Sequence, residues 1–212
     1  MWVDSCGSES AIVERAAEVV RKGGVILYPS DTIYGLGCDP FCKSAVQRIF
    51  EIKQRPKDKG LLVLVPNTGW LDQLACEVGS EFREFCECFW PGPLTIVLKA
   101  KSELSQELTG REGKIGIRWP DDPCLQEWME KIPGPVVSTS ANISGGEVMT
   151  SVEELQQLFE TKVDLFLQSK QPVEGTASTV VDFTCTPPRV LRWGAHAQKV
   201  RSYLTSRFGP TM

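Results

Sequence analysis

The sequence predicts an α/β fold: a single domain over residues 1–212, built on one twisted sheet of mixed parallel and antiparallel strands with helices on its faces. Three observations predict it. Strand-sized apolar runs interleave with helix-period stretches along the whole chain. Gly and Pro clusters punctuate the junctions, as at Gly23-Gly24 and Trp90-Pro91-Gly92-Pro93. The 212 residues, 42% hydrophobic and 24% charged, have ordinary globular composition and suffice for one sizeable core. No repeat, low-complexity tract or linker interrupts them.

Residues 8–22 read as a helix, because Ile12, Ala16, Val19 and Val20 make one apolar stripe and Gly23-Gly24 stops it. Residues 25–28 read as a buried strand ending at Pro29. A polar turn follows, Ser30-Asp31-Thr32, and then Tyr34-Gly35-Leu36-Gly37. Residues 44–53 are a second helix with Val46, Ile49 and Phe50 on one face. Pro56 disfavours helix at Arg55, so this helix ends near Lys53. Residues 61–65 are a strand. Short helices at 71–76 and 81–89 precede the Trp90-Pro91-Gly92-Pro93 break. Further strands fall at 94–98, 115–118, 136–139, 163–167, 179–182 and 190–192, and further helices at 123–131, 152–160 and 195–208.

Composition narrows the function. No apolar run approaches the roughly 18 residues of a membrane helix. The first ten residues are polar, carry Asp4 and Glu9, and match neither a secretory signal nor a mitochondrial leader. A cytoplasmic protein without membrane contact is expected. The eight cysteines (Cys6, Cys38, Cys42, Cys76, Cys86, Cys88, Cys124, Cys185) form no C-x-x-C pair, and the one histidine, His196, is distant in sequence. Free thiols are therefore expected, several of them buried, and no zinc site. A net charge of −4 and a pI near 5.2 argue against nucleic acid as the main partner. A local basic patch is still compatible with them, and positive charges concentrated in short motifs suit a small anionic ligand.

Ligands of α/β folds bind where strands end, and polar clusters sit at four such places. They are Pro29-Ser30-Asp31-Thr32, Ser138-Thr139-Ser140-Ala141-Asn142 running into Ser144-Gly145-Gly146, Arg118 before Trp119-Pro120, and Arg192 before Trp193-Gly194. Each also has a plain structural reading, since Ser, Thr and Asn in turns satisfy backbone groups. A fifth cluster, Lys53-Gln54-Arg55-Pro56-Lys57-Asp58-Lys59, is either a solvated basic helix end or a pair of cations aimed at one anion. There is no G-x-x-x-x-G-K-[ST] phosphate loop and no dinucleotide fingerprint. His196, at a helix start, suits a surface or capping role rather than a hydrolase triad. Hydroxyls, one amide and cations suit a reaction driven by positioning and charge stabilisation, such as transfer at a phosphate.

These residues resemble a known family. Pro29-Ser30-Asp31-Thr32-Ile33-Tyr34-Gly35-Leu36-Gly37 is similar to the P-T-D-T-x-Y-G-L motif of YrdC-type L-threonylcarbamoyladenylate synthases, and Lys53-Gln54-Arg55-Pro56 to their K-x-R motif. Trp90-Pro91-Gly92-Pro93-Leu94-Thr95, Gly116-Ile117-Arg118, Ser138 to Gly145 and Ser178-Thr179-Val180-Val181-Asp182 resemble later blocks, in the family order. The resemblance implies a YrdC-like fold with a concave cationic cleft. It implies a nucleotidyltransferase that condenses L-threonine, bicarbonate or CO2, and ATP into L-threonylcarbamoyl-AMP and pyrophosphate, for threonylcarbamoyladenosine modification of tRNA.

Lys53 and Arg55 are then the catalytic candidates. Thr32, Arg118, Ser138 and Ser178 are expected to bind threonine, with Arg118 on its carboxylate. Arg55, Lys59, Ser140, Asn142, Arg192 and the backbone near Val148 are expected to bind ATP. Mg2+ is expected with the triphosphate, held mainly by phosphate oxygens, with no resident metal and no tightly bound organic cofactor. A downstream tRNA threonylcarbamoyl transferase is the implied partner, together with weak tRNA or RNA contact. Ser30 stands where threonine is usual. Leu64 and Lys114 replace family residues near threonine and ATP, which leaves their roles open. The additional C-terminal domain of longer relatives is expected to be absent. Two rival readings are a double-stranded RNA-binding protein of ribosome maturation and a carbamoyl-transfer domain. The acidic pI opposes the first, and the lack of zinc-finger and acylphosphatase modules opposes the second.

Overall fold

The computed structural model describes residues 2–4, 10–56, 58–76, 78–132, 134–169, 173 and 175–209. Residues 8 and 9 of the predicted first helix, Cys6 and Lys57 lie outside them. The chain runs through β1 (Trp2–Asp4), α1 (Ser10–Arg21), β2 (Ile26–Tyr28), β3 (Gly35–Cys38), α2 (Lys43–Lys53), β4 (Leu62–Leu64), α3 (Leu71–Leu74), α4 (Ser80–Phe89) and β5 (Leu94–Lys99). It continues through α5 (Gln106–Thr109), β6 (Lys114–Arg118), α6 (Pro123–Lys131), β7 (Val136–Ser140), α7 (Val152–Phe159), β8 (Leu165–Gln168), β9 (Thr179–Asp182), β10 (Arg189–Arg192) and α8 (Ala197–Phe208). The strands form one sheet in the order β1-β8-β2-β3-β7-β4-β6-β5-β9-β10. It is mixed: β1 with β8, β8 with β2, β4 with β6 and β5 with β9 are parallel, and the other neighbours are antiparallel.

Because successive strand residues point to opposite faces, β2 feeds two cores. Leu27 enters a large one with α2, α3, α4, α7 and α8, to which Val63, Ile96, Ile117 and Val137 contribute from the other strands. Ile26 and Tyr28 enter a smaller one on the opposite face, made with Ala16, Ala17 and Val20 of α1 and Leu125, Trp128 and Met129 of α6. A fully buried chain such as Phe85 or Phe159 contributes about 1.5–3 kcal/mol. Helix α6 begins as the sequence dictates, with Pro123 in its first turn and the Asp122 carboxylate accepting from Leu125 N at 3.1 Å. The two faces are covered unequally. Helices α1 and α6 shield only part of the smaller face, near β2 and β8. Their cover extends to Leu64 of β4 and Val136 of β7; past it, residues of β4, β6 and β5 on that face line a cavity instead.

The predicted helices are present, with ends shifted by a few residues. Four elements were not predicted: β1, the 3-10 turn Thr68–Trp70, the four-residue α5 and β3. The Gly35-Leu36-Gly37 stretch, read with a turn, is a fully buried strand. Its glycines lie beneath the Tyr28 ring, and a Cβ at Gly37 would come within 2.7 Å of Tyr28 Cε1. Among the described residues no helix is long and apolar enough to cross a membrane. Among the described residues Cys38, Cys42, Cys76, Cys86, Cys88, Cys124 and Cys185 take part in no disulfide, and Cys38 and Cys86 are buried.

Candidate active site

The bare part of the smaller face is the floor of a cavity of about 420 Å³. Strand alternation explains who faces it. In β6, Ile115 and Ile117 enter the large core, whereas Lys114, Gly116 and Arg118 line the cavity. Their register partners agree: Leu62 and Leu64 of β4 pair with Gly116 and Arg118, and Ser138 of β7 pairs with Leu62. Strands β4 and β6 run parallel, so Lys114 marks one end of the floor and Arg118 the other. Four strand residues separate these ends by about 13 Å.

At the Arg118 end, hydroxyls and guanidinium groups converge. Arg118 is 4% exposed. Its Nη1 donates to Thr32 Oγ1 at 2.9 Å and its Nε to the Gly92 carbonyl at 3.1 Å. Its Nη2 forms an ion pair with Asp31 Oδ2. The Ser178 hydroxyl is hydrogen-bonded to Thr95 Oγ1 at 2.8 Å. Arg192 donates from Nε to the Ser178 carbonyl at 3.0 Å and from Nη2 to the Ser178 hydroxyl at 3.1 Å. Burial, and then the nearby Arg118 charge, lower the Arg192 pKa. Ser138, on the floor, accepts a 2.6 Å hydrogen bond from the buried Tyr28 hydroxyl.

At the other end, the chain leaves α2 through Gln54, which adopts a left-handed conformation (φ 50°). That turn places Arg55 and Lys59 on the cavity wall. Arg55 donates to the carbonyls of Lys59 (3.3 Å) and Gly60 (2.7 Å), and burial lowers its pKa. Lys114 donates to Asp182 Oδ2 at 3.1 Å and pairs with Glu112 at 2.7 Å. Both carboxylates raise its pKa.

Lys53 is placed differently. It is 1% exposed. Its three N–H bonds point at the Ser140 carbonyl (2.5 Å), the Asn142 carbonyl (2.8 Å) and Asn142 Oδ1 (3.1 Å). Burial, and then the Arg55 charge, lower its pKa to about 8. Asn142 Oδ1 also accepts from Ser140 Oγ at 2.6 Å, and Asn142 Nδ2 donates to the Gly146 carbonyl at 2.6 Å. Lys53 thus ties α2 to the end of β7. It lines a small side pocket of about 140 Å³ with Arg55, Lys59, Ser140, Asn142 and Ser144, adjoining the main cavity.

Of the residues singled out from the sequence, Thr32, Arg55, Lys59, Arg118, Ser138, Ser140, Ser178 and Arg192 meet around the main cavity. Lys53 and Asn142 stand in the annex. Val148 is 41% exposed and lines a separate surface depression with Ile143, Met149 and Leu158. Leu64 and Lys114 both face the cavity, and Thr95, Glu112 and Asp58 join them without having been singled out for it. The alternation Lys114-Ile115-Gly116-Ile117-Arg118 was the available signal for Lys114. His196 precedes α8 at φ 59°, without a side-chain cap. Among the described residues no three His, Cys, Asp or Glu side chains gather as a metal cluster.

Comparison with known proteins adds to this geometry. Residues 18–194 match the family Sua5_yciO_yrdC, described as Telomere recombination. The chain is 35% identical over 179 residues to the threonylcarbamoyl-AMP synthase of Pyrococcus abyssi, covering 84% of this chain and 53% of that protein. It is 39% identical over 157 residues to the threonylcarbamoyl-AMP synthase of Serratia proteamaculans, covering 72% of this chain and 82% of that one. The crystal structure of P. abyssi Sua5 complexed with L-threonine superposes with a TM-score of 0.91 at 30% identity, over 98% of this chain and 62% of that chain. The chain therefore spans about half the length of the Pyrococcus relative.

Proposed function

This chain belongs to the Sua5, YciO and YrdC family, and from that premise we propose that it joins L-threonine, bicarbonate and ATP into L-threonylcarbamoyl-AMP and pyrophosphate. One observation carries the reading: a single sheet floor has guanidinium groups at both ends and hydroxyls between them. Two anions must be brought together in this reaction, an amino-acid carbamate and a triphosphate. A site with separated cations and no strong base meets that need.

In the proposed arrangement the threonine carboxylate lies on Arg118, with Thr32, Ser138 and Ser178 supplying hydroxyls. The triphosphate takes the other end, against Arg55 and Lys59, with Ser140 and Asn142 beside it. Arg192, held on Ser178 at the amino-acid end, would reach toward the α-phosphate side of ATP. Bicarbonate takes up a proton and loses water to give CO2; the threonine amine adds to its carbon and releases a proton to solvent, giving a carbamate. A carbamate oxygen then attacks the α-phosphorus, and the bond from that phosphorus to the bridging oxygen breaks, releasing pyrophosphate. The carbamate is already nucleophilic, so the protein's part is alignment and charge stabilisation. A guanidinium can bridge two phosphate oxygens, which suits Arg55 to the departing pyrophosphate.

Lys53, whose donors all point at its own chain, is assigned a positioning role: it holds Ser140 and Asn142 beside the phosphates. Val148 lies apart from both pockets, and only its main chain is offered to the nucleotide. Mg2+ fits as an ion that enters with the triphosphate, since the cavity offers only Asp58 and Glu112 as carboxylates on its lining. Bound there it would offset phosphate charge. The product would pass to a tRNA threonylcarbamoyl transferase in the cytoplasm.

The test is pyrophosphate release by the purified protein with ATP, Mg2+ and bicarbonate, with threonine present or omitted. Threonine-dependent release together with a new adenylate by mass spectrometry is the expected result. ATP binding without threonine-dependent release would overturn the reading, and salt-dependent RNA binding in its place would favour a non-catalytic role.

A further inference from the structure

The wall at the Arg118 end separates two cavities. Arg118 lines the reaction cavity. Asp31 lines a second cavity of about 520 Å³ behind it, walled by α1, α6 and the end of β2. The ion pair between them crosses the wall. Asp31 is an unusual carboxylate for its depth. Its side chain is 14% exposed and, among the described residues, its Oδ1 has no hydrogen-bond partner. Other carboxylates of the molecule accept from a backbone N–H: the buried Asp182 from Thr184, the half-buried Asp122 from Leu125 and the exposed Asp164 from Val25. Asp31 has Arg118. A carboxylate withdrawn from water needs a compensating charge, and for Asp31 that charge is one guanidinium.

The pair does two things. Gly92, Thr32 and Asp31 meet the three nitrogens of Arg118 from three directions, so the guanidinium cannot turn from the floor. Arg118 and Arg192 are also close enough for the first to lower the pKa of the second. Two guanidiniums and one carboxylate leave one net positive charge at this end. Asp122, the next carboxylate outward, is engaged in capping α6.

We propose that Asp31 is a specificity-determining residue: paired with Arg118 from behind the site, it leaves this end matched to a carboxylate monoanion and unfavourable to a phosphate dianion. The triphosphate is thereby kept from binding in the reversed sense. This rests on the reading that Arg118 receives the threonine carboxylate.

The probe is sulfate, a stable dianion, in competition with L-threonine, followed by calorimetry on the full chain. Wild-type protein is expected to bind threonine with little competition. In Asp31→Asn, sulfate should compete, and the ratio of sulfate to threonine dissociation constants should fall at least about tenfold, because a second unpaired charge favours the dianion. Asp31→Glu should restore the wild-type ratio. A folded Asp31→Asn protein with an unchanged ratio overturns the proposal while leaving the threonine reading intact. Absence of threonine binding by wild type overturns both. Should the asparagine variant not fold, Asp31→Ser gives the same comparison, and failure of both to fold would assign Asp31 to the fold instead.

Discussion

Arg55 and Lys53 sit two residues apart and do opposite things with their charge. The Arg55 guanidinium is half-buried, holds only the carbonyls of Lys59 and Gly60, and faces the cavity. Arg55→Ala should therefore lower synthesis by about 10²–10³-fold or more, with the melting transition nearly unmoved. Normal turnover in a well-folded variant would remove Arg55 from the chemistry. Lys53 has all its donors engaged in the interior, and this gives a pH signature with two signs. The unfolded lysine keeps its proton to about 10.5, while the folded one releases it near 8. Between those values the unfolded state binds more protons, so this group's contribution to stability rises with pH. Over the same interval the ammonium that holds Ser140 and Asn142 is lost, so synthesis should decline. The measurement is melting temperature and turnover from pH 7 to 10 in wild type and Lys53→Met. The variant should lack the Lys53 part of the stability slope. Identical slopes in the two proteins would contradict this assignment.

Glycines in two strands of the one sheet separate packing from function at the level of elements. In β3, a Cβ on Gly37 would meet Tyr28 Cε1 at 2.7 Å and the Val137 carbonyl at 3.0 Å. Gly37→Ala should cost about 1–3 kcal/mol in denaturant unfolding, as overpacking does. In β6, the nearest atoms to a Cβ on Gly116 are 3.6 Å away, on Thr95 and then Leu62. Gly116→Ala should fold normally but raise a methyl from the cavity floor, so its effect should appear in KM rather than in unfolding. A Gly116→Ala protein that unfolds as readily as Gly37→Ala would mean that the floor is packed differently. The same strands show what the sequence could disclose. Helices α2, α4 and α6 were readable because their apolar stripes, caps and breakers are local. Strand β3 was not, because two glycines carry no apolar period and are explained only by Tyr28, paired through the sheet. Arg118, Arg192, Ser138 and Thr32 were findable as polar residues at strand ends, and Ser178 only through the family resemblance. Asp31, in the turn after β2, meets Arg118 only in the assembled sheet, Thr95 meets Ser178 through the β5–β9 pairing, and Lys53, readable as a solvated helix end or as an anion ligand, is held by the end of β7.

The whole molecule carries a net charge of −4, yet one face of its sheet gathers Arg55, Lys59, Lys114, Arg118 and Arg192 around a single cavity. The unequal helix cover makes this possible, since the strands on that face need no apolar side chains where no helix lies over them. Cations gathered at one cavity of a chain with net negative charge favour small anions over polyanions. It also means that the site holds cations near one another among hydroxyls, so an anion that pairs with them should stabilise the fold. ATP at a hundredfold excess over its dissociation constant should add about 2.7 kcal/mol, a rise of roughly 5–11 °C in melting temperature for a chain of this length. Adenosine, which carries no phosphates, should add much less at the same concentration, and pyrophosphate alone should recover part of the ATP effect. Equal shifts from adenosine and ATP would place the binding energy on the base instead, and the cations of the cavity would then need another explanation.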